Sequence, residues 1–178
     1  MSKWLLIVTI VLTPVTALAL PAVGTSRADA QLEDSWERLD AFSNYRGMPV
    51  LVLYEDKSSS GQNVELKREL TEIAQDGRYK GIVAFMPIAD VSSYDYWPVR
   101  AFARRSVQKQ SLATHTNIIC DWKGAVRDAL GLDKKSSNVV LYDKDAKVVF
   151  AHAGALSPEQ RAVLFAMLRD QVEQQAKK

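Results

Sequence analysis

The amino-acid sequence predicts one α/β domain: a central mixed sheet, mostly parallel, that ends in an antiparallel hairpin and carries helices on both faces. Near the C-terminus, two apolar runs rich in β-branched residues, Ser137–Asp143 and Ala146–His152, flank the polar turn Lys144-Asp145, which predicts a hairpin. Further upstream, the apolar runs Pro49–Tyr54 and Gly81–Ala89 lie on either side of a helical pattern. That order is typical of two parallel strands joined by a right-handed crossover.

The elements of the first half follow from local patterns. Residues 31–46 are polar, with three large apolar residues spaced like a short helical turn or a clip onto the core: Trp36, Leu39 and Phe42. Pro49–Tyr54 is almost continuously apolar, which predicts a strand buried on both faces. A helix follows, capped by Ser60 or Asn63 and ended by Asp76-Gly77. Its apolar positions recur at helical spacing: Leu66, Leu70, Ile73 and Ala74.

The second half contains a further helix, a strand, a short helix and the closing unit. Pro98 begins a helix whose apolar side is predicted to be Val99, Phe102, Ala103 and Val107. A strand over Ile118–Cys120 and a short helix over Gly124–Leu132 come next. Ser157 is predicted to cap the last helix, with Pro158 in the first turn and Gln160 completing a capping box. Its predicted apolar stripe is Val163 and Met167, with Leu164 and Leu168 as further members. Val172–Lys178 is predicted to fray.

The N-terminus predicts export. Lys3 precedes a stretch, Trp4–Val23, that is apolar apart from threonines and prolines, and the sequence then reaches the A-x-A pattern Ala28-Asp29-Ala30. This order is typical of a secretory signal peptide over residues 1–30, cleaved after Ala30 to leave a mature domain of residues 31–178. The alternative is an uncleaved membrane anchor, because the apolar stretch approaches the length that spans a bilayer.

Charge and cysteine content limit the possible functions. The formal net charge is +2, and removal of residues 1–30 leaves 21 basic against 20 acidic residues. Such a balance gives no reason to expect a nucleic-acid partner. Cys120 is the only cysteine, so the chain forms no internal disulfide.

The loop Glu55–Asn63 follows the first central strand, where ligands and catalysis gather in open α/β sheets. Here the arrangement resembles the thioredoxin-like superfamily, whose redox-active members carry C-x-x-C at this point. The resemblance implies that a helix N-terminus would activate the first thiol. This chain has Ser58, Ser59 and Ser60 in the loop instead, and no thiol. The superfamily's cis-proline position falls at or near Ser137, where no proline stands. Both signatures of disulfide exchange are missing, and so is the peroxiredoxin pattern P-x-x-x-T-x-x-C.

A narrower resemblance is to the YtfJ family of exported bacterial proteins with a thioredoxin-type fold. It is carried by the loop EDKSSSGQN, by CDWKGAVR from Cys120, by Ser136-Ser137 before VVLYDKDAKVVF, and by Gly154-Ala155-Leu156-Ser157. The last two are the most specific of these. The resemblance implies a periplasmic location and a thioredoxin-like fold, and it transfers no catalytic residue.

The sequence offers few residues for other catalytic or metal-binding sites. Cys120 is interpreted either as a small buried apolar residue or as a reactive thiol, the candidate catalytic residue of a one-cysteine oxidoreductase or peroxide reductant. His115 and His152 are too few for a zinc site without further ligands. Neither a G-x-S-x-G elbow nor a glycine-rich phosphate loop is present. We therefore expect no cofactor and no resident metal.

Two features favour a binding role. Tyr94, Tyr96 and Trp97 crowd one loop, where they either anchor a partner or fold inward. A basic stripe follows, which is either a solvated helix face or a contact for an anionic surface: Arg100, Arg104, Arg105 and Lys109. The leading hypothesis is a non-catalytic accessory protein of the cell envelope. Its predicted binding residues are Ser58, Ser59, Ser60, Tyr94, Tyr96, Trp97 and Arg104, and its partner an envelope protein or an anionic surface, with membrane contact only if the leader stays uncleaved.

Overall fold

The computed structural model describes residues 20–176. In chain order the elements are β1 (Gln31–Glu33), β2 (Leu39–Ala41), a 3₁₀ turn (Phe42–Tyr45), β3 (Val50–Glu55), α1 (Val64–Gln75), β4 (Ala84–Asp90), a 3₁₀ turn (Ser92–Tyr94), α2 (Val99–Thr114), β5 (Ile119–Asp121), α3 (Ala125–Leu130), β6 (Asn138–Tyr142), β7 (Val148–Ala153) and α4 (Pro158–Ala176). The predicted leader lies mostly outside these residues, and no helix between 20 and 176 is long and apolar enough to cross a bilayer.

Five strands form the central sheet in the order β5-β4-β3-β6-β7. β4 is parallel to both β3 and β5, whereas β6 is antiparallel to β3 and to β7. The predicted α/β fold with a mixed sheet and a C-terminal hairpin is therefore confirmed. β3 occupies the centre, which explains its almost continuous apolar sequence, since both of its faces are buried.

Two apolar layers cover the sheet, because alternate residues of each strand face opposite sides. Val50 and Val52 of β3 face a cluster that includes Val126 and Leu130 of α3. Leu51 and Leu53 face the opposite cluster, which contains residues of α1 and α4. The helices thus lie on both faces, as predicted.

The last helix confirms its predicted start and corrects its predicted face. The backbone N–H of Gln160 donates to Ser157 Oγ at 3.2 Å, and that of Ser157 donates to Gln160 Oε1 at 2.8 Å, which completes the capping box. Leu164 and Leu168 are fully buried one turn apart, whereas Val163 is 48% exposed. Val163 was therefore wrongly assigned to the buried stripe, which runs one position further along the helix. The fraying predicted for Val172–Lys178 is not found up to Ala176, where α4 ends, and residues 177–178 lie outside the described residues.

Two further expectations change in the structure. Residues 31–46 form the small antiparallel pair β1–β2 followed by a 3₁₀ turn at Phe42–Tyr45, and of Trp36, Leu39 and Phe42 only Phe42 is buried. Phe42 alone therefore forms the expected clip. On α2, Phe102 is 64% exposed although it was assigned to the apolar side. Ala103 and Val107, which are one helical turn apart, pack beside Cys120 and Trp122.

Candidate functional site

The serine loop after β3 is held by its own aspartate. Asp56 Oδ1 accepts hydrogen bonds from Ser58 Oγ at 2.7 Å, from Ser59 Oγ at 2.8 Å and from the backbone N–H of Ser59 at 2.8 Å. Burial would raise the pKa of Asp56, but the hydrogen bonds from Ser58 and Ser59 outweigh it and lower that pKa. Ser60 Oγ donates to the Lys57 carbonyl. All three serine hydroxyls therefore act as turn-forming groups.

A buried polar network lies behind this loop, at the position where the superfamily places its proline. Ser137 is fully buried, and its Oγ donates to Glu55 Oε1 at 2.7 Å. The backbone N–H of Ser137 donates to Gln62 Oε1 at 2.9 Å. Asn63 Nδ2 donates to Ser137 Oγ at 2.8 Å. The Glu55–Asn63 loop and the β6–β7 hairpin are thus joined by hydrogen bonds through Ser137.

Asn63 also ties the loop to the segment before α4. Its Nδ2 donates to the Gly154 carbonyl at 2.9 Å, and its Oδ1 accepts from the backbone N–H of Leu156 at 2.9 Å. Asn63 lies at the N-terminus of α1, as predicted, but its side chain makes no capping hydrogen bond there. Gly154 has φ +96°, a conformation that favours glycine and lets the chain turn toward Asn63.

An open cleft of about 770 Å³ lies between α1 and α2. Its floor is formed by alternate residues of the sheet, and its two walls by side chains of the facing helices. The principal lining residues are Leu51, Leu53, Phe85 and Pro87 on the floor, Leu70, Thr71 and Ala74 on α1, and Val99, Phe102 and Ser106 on α2. One end is polar, where Lys67 Nζ donates to Glu55 Oε2 at 2.9 Å beside Asp56. The cleft is therefore mainly apolar with a charged end at the serine loop.

The aromatic loop borders this cleft and is not folded inward as a whole. Tyr94 lines the cleft and is partly buried, whereas Tyr96 is 58% and Trp97 91% exposed. Phe102, one helical turn into α2, is exposed on the cleft side. Of the predicted binding residues, the structure thus brings Ser60 and Tyr94 to one cleft, whereas Ser58, Ser59, Tyr96 and Trp97 do not line it.

The basic stripe has a different location and a structural role. The guanidinium carbons of Arg100 and Arg104 lie 4.4 and 5.3 Å from the ring centroid of Trp122. Arg104 pairs with Glu33 at 3.1 Å and also with Glu37, and Arg100 approaches Glu33 at 3.6 Å. These contacts fasten the N-terminal β1–β2 pair to the side of α2. Arg104 does not line the cleft, so its predicted part in binding a partner stays a prediction without support from this geometry.

Cys120 has the environment of a core residue. It is 3% exposed and packs with Val91 and Trp122. Burial raises the pKa of the thiol to about 12, and the nearby positive charge of Arg104 only partly opposes this effect. At neutral pH the group is therefore a protonated thiol without solvent access.

No three His, Cys, Asp or Glu side chains between residues 20 and 176 are grouped so that they could hold a metal ion. His152 lies within 3.3 Å of the Ala155 carbonyl and of Gln160 Nε2. It therefore takes part in the turn before α4.

Sequence reasoning missed most of the cleft. No recognisable sequence motif contains Ser106, Thr71 or Ala74. They line the same cleft only because α1 and α2 leave a space between them on one face of the sheet. Phe102 offered the one usable signal: a large apolar residue on an otherwise polar helix stretch.

The fold defines a thioredoxin-like protein, and comparison with solved structures agrees. A candidate protein disulfide isomerase from Bacteroides thetaiotaomicron is 17% identical, with a TM-score of 0.63 over 86% of this chain and 91% of that chain. A candidate thiol:disulfide interchange protein DsbE from Chlorobium tepidum is 14% identical, with a TM-score of 0.63 over 85% and 99%. The exposed lipoprotein thioredoxin of Streptococcus pneumoniae is 16% identical, with a TM-score of 0.59 over 80% and 99%. At these identities the likeness is one of fold.

The sequence comparison is more specific. Residues 91–171 match the family model described as "Bacterial protein of unknown function (YtfJ_HI0045)". The resemblance to the YtfJ family within the thioredoxin-like fold is therefore confirmed over this segment. None of the curated proteins compared with the chain matches it.

Proposed function

We propose that this chain is an exported, periplasmic accessory protein that binds an apolar segment of another envelope protein and performs no redox chemistry. The observation that carries the proposal is the open apolar cleft between α1 and α2, which is lined by Tyr94 and by the exposed side chain of Phe102. Tyr96 and Trp97, which are also exposed, belong to the same loop as Tyr94. Contiguous apolar surface of this kind is a feature of protein-binding sites, and exposed aromatic residues commonly act as anchors.

Charge favours a protein segment over an anionic surface as the occupant. Arg100 and Arg104 of α2 do not line the cleft and are already paired with Glu33 and Asp95. At the charged end of the cleft, Lys67 is likewise paired with Glu55. Since Glu55 and Asp56 place negative charge at this end beside the lysines, an anionic headgroup would gain little, whereas apolar side chains would bury the lining.

Two sites support the proposed absence of redox chemistry. The serine hydroxyls that stand in the usual thiol position already bond to groups within their own loop. The rival hypothesis is a one-cysteine peroxide reductant that acts through Cys120 with an external resolving thiol. That mechanism requires an accessible thiolate, and burial and the raised thiol pKa of Cys120 count against it.

The proposal of export rests on the N-terminal sequence and on the YtfJ-family match. One similar structure belongs to a protein named as an exposed lipoprotein thioredoxin, which is consistent with an extracytoplasmic place for the scaffold.

The experiment is site-specific photocrosslinking in the intact envelope. A benzophenone side chain at Phe102 or Trp97 should give one discrete crosslinked species, whereas the same group at Val163, an exposed apolar position on α4, should not.

A second variant blocks the cleft. Ser106→Trp places a bulky side chain in the cleft from an exposed position of its α2 wall, and it should reduce the yield of the Phe102 crosslink at least tenfold. Ala101→Trp is the matched control, because Ala101 is exposed on α2 but does not line the cleft. Equal crosslinking from Val163, or an unchanged pattern with Ser106→Trp, would refute this binding site.

A further inference from the structure

We propose that the leader is cleaved after Ala19, so that the mature protein begins at Leu20 and keeps residues 20–30. This inference rests on the export that forms part of the proposed function. It competes with the expected cleavage after Ala30, which would remove residues 20–30 together with the leader. The reaction is hydrolysis of the Ala19–Leu20 peptide bond by an envelope leader peptidase: the C–N bond breaks, and water adds its hydroxyl to the Ala19 carbonyl carbon and a proton to the Leu20 nitrogen.

Residues 24–27 pair with the edge of the sheet. The backbone N–H of Gly24 donates to the Val148 carbonyl at 2.7 Å, and the N–H of Val148 donates to the Thr25 carbonyl at 2.9 Å. The N–H of Arg27 donates to the Ala146 carbonyl at 2.7 Å. β7 is the edge strand, so this segment covers the start of an edge that would otherwise expose its hydrogen-bonding groups.

Arg27 is built into the same layer. Its guanidinium carbon lies 5.0 Å from the ring centroid of Phe42 and 5.5 Å from that of Tyr142. Its Nη2 donates to the Phe42 carbonyl at 2.9 Å. Both rings are almost fully buried, so Arg27 forms part of the cover over two core residues.

Both ends of residues 20–30 also contact the domain. Leu20 and Ala30 are partly buried and pack against the core cluster that contains Phe42, Tyr142 and Val148. The backbone N–H of Phe42 donates to the Ala30 carbonyl at 3.2 Å. A cut after Ala30 would therefore remove contacts with three core residues and open one edge of the sheet.

The leader itself offers a site just before this segment. Ala17-Leu18-Ala19 places small residues at the third and first positions before the bond, as leader peptidases require. The apolar run Trp4–Leu12 and the break at Thr13-Pro14 precede it at the spacing typical of such leaders.

The test is the intact mass and N-terminal sequence of the exported full-length gene product. We expect Leu20 at the N-terminus. Two matched variants distinguish the sites, since each places a bulky side chain three residues before one bond. Ala17→Trp should eliminate the Leu20 N-terminus, whereas Ala28→Trp, at an exposed position, should leave it unchanged.

An N-terminus at Gln31, or precursor accumulation with Ala28→Trp, would overturn the inference while leaving export intact. Protein found only in the cytoplasm with Met1 in place would overturn export as well. A second measurement tests the packing argument: residues 31–178 should melt about 5 °C or more below residues 20–178, or fail to fold. Equal melting temperatures would contradict a structural role for residues 20–30.

Discussion

The Asn63 side chain joins the serine loop, the β6–β7 hairpin and the segment before α4 through hydrogen bonds. It is 3% exposed and bonds to Ser137, to the Gly154 carbonyl and to the Leu156 N–H. Removal of its amide would leave several buried polar groups without partners, and each such group costs about 1–3 kcal/mol.

We therefore expect Asn63→Ala to lower the free energy of unfolding by about 2–4 kcal/mol, measured by urea denaturation. Ser60→Ala is the control, because Ser60 is exposed and its hydroxyl bonds only within the turn; it should change stability by less than about 0.5 kcal/mol. A loss for Asn63→Ala no larger than that of the control would mean that the network is not formed in solution.

Cys120 allows a test of the rival redox hypothesis. With its thiol pKa raised to about 12 by burial, the thiolate fraction of the folded protein should stay negligible from pH 7 to pH 9, where an exposed thiol with a pKa of roughly 8.5 ionises. Labelling by a thiol reagent should therefore be at least about a hundredfold slower in the native protein than in denaturant throughout this range. Rapid native labelling at pH 7 would favour the one-cysteine enzyme instead.

At the scale of the elements, α4 shows how neighbouring residues of a helix can differ in energetic role. Leu164 is fully buried against the sheet, whereas Val163 is half exposed. We expect Leu164→Ala to cost about 2–5 kcal/mol, through lost burial and the cavity it leaves, and Val163→Ala to cost less than about 1 kcal/mol. Thermal or urea unfolding of the two variants measures this difference. Similar losses would indicate that Val163 is buried in solution as well, as the sequence predicts.

At the scale of the whole molecule, the sequence predicts architecture well because the fold is encoded in strand-length apolar runs and helix signals. The β6–β7 hairpin, the capping box at Ser157 and the central place of β3 were all readable. The β1–β2 pair was not, because its strands are three residues long and are held mainly by contacts with α2 and the core. Only part of the cleft could be predicted from the sequence. Its walls depend on the distance between α1 and α2, and no local sequence pattern encodes that distance.

Arg100 and Arg104 give the N-terminal pair β1–β2 an influence on the cleft that it does not touch. One wall of the cleft is α2, whose opposite side is fastened to β1–β2 through Glu33 and Glu37. These ion pairs hold α2 in position from the side that faces away from the cleft, so the width of the cleft depends on their strength. We therefore expect substitutions at Glu33 to alter the affinity of the proposed cleft for its partner, although Glu33 does not line that cleft.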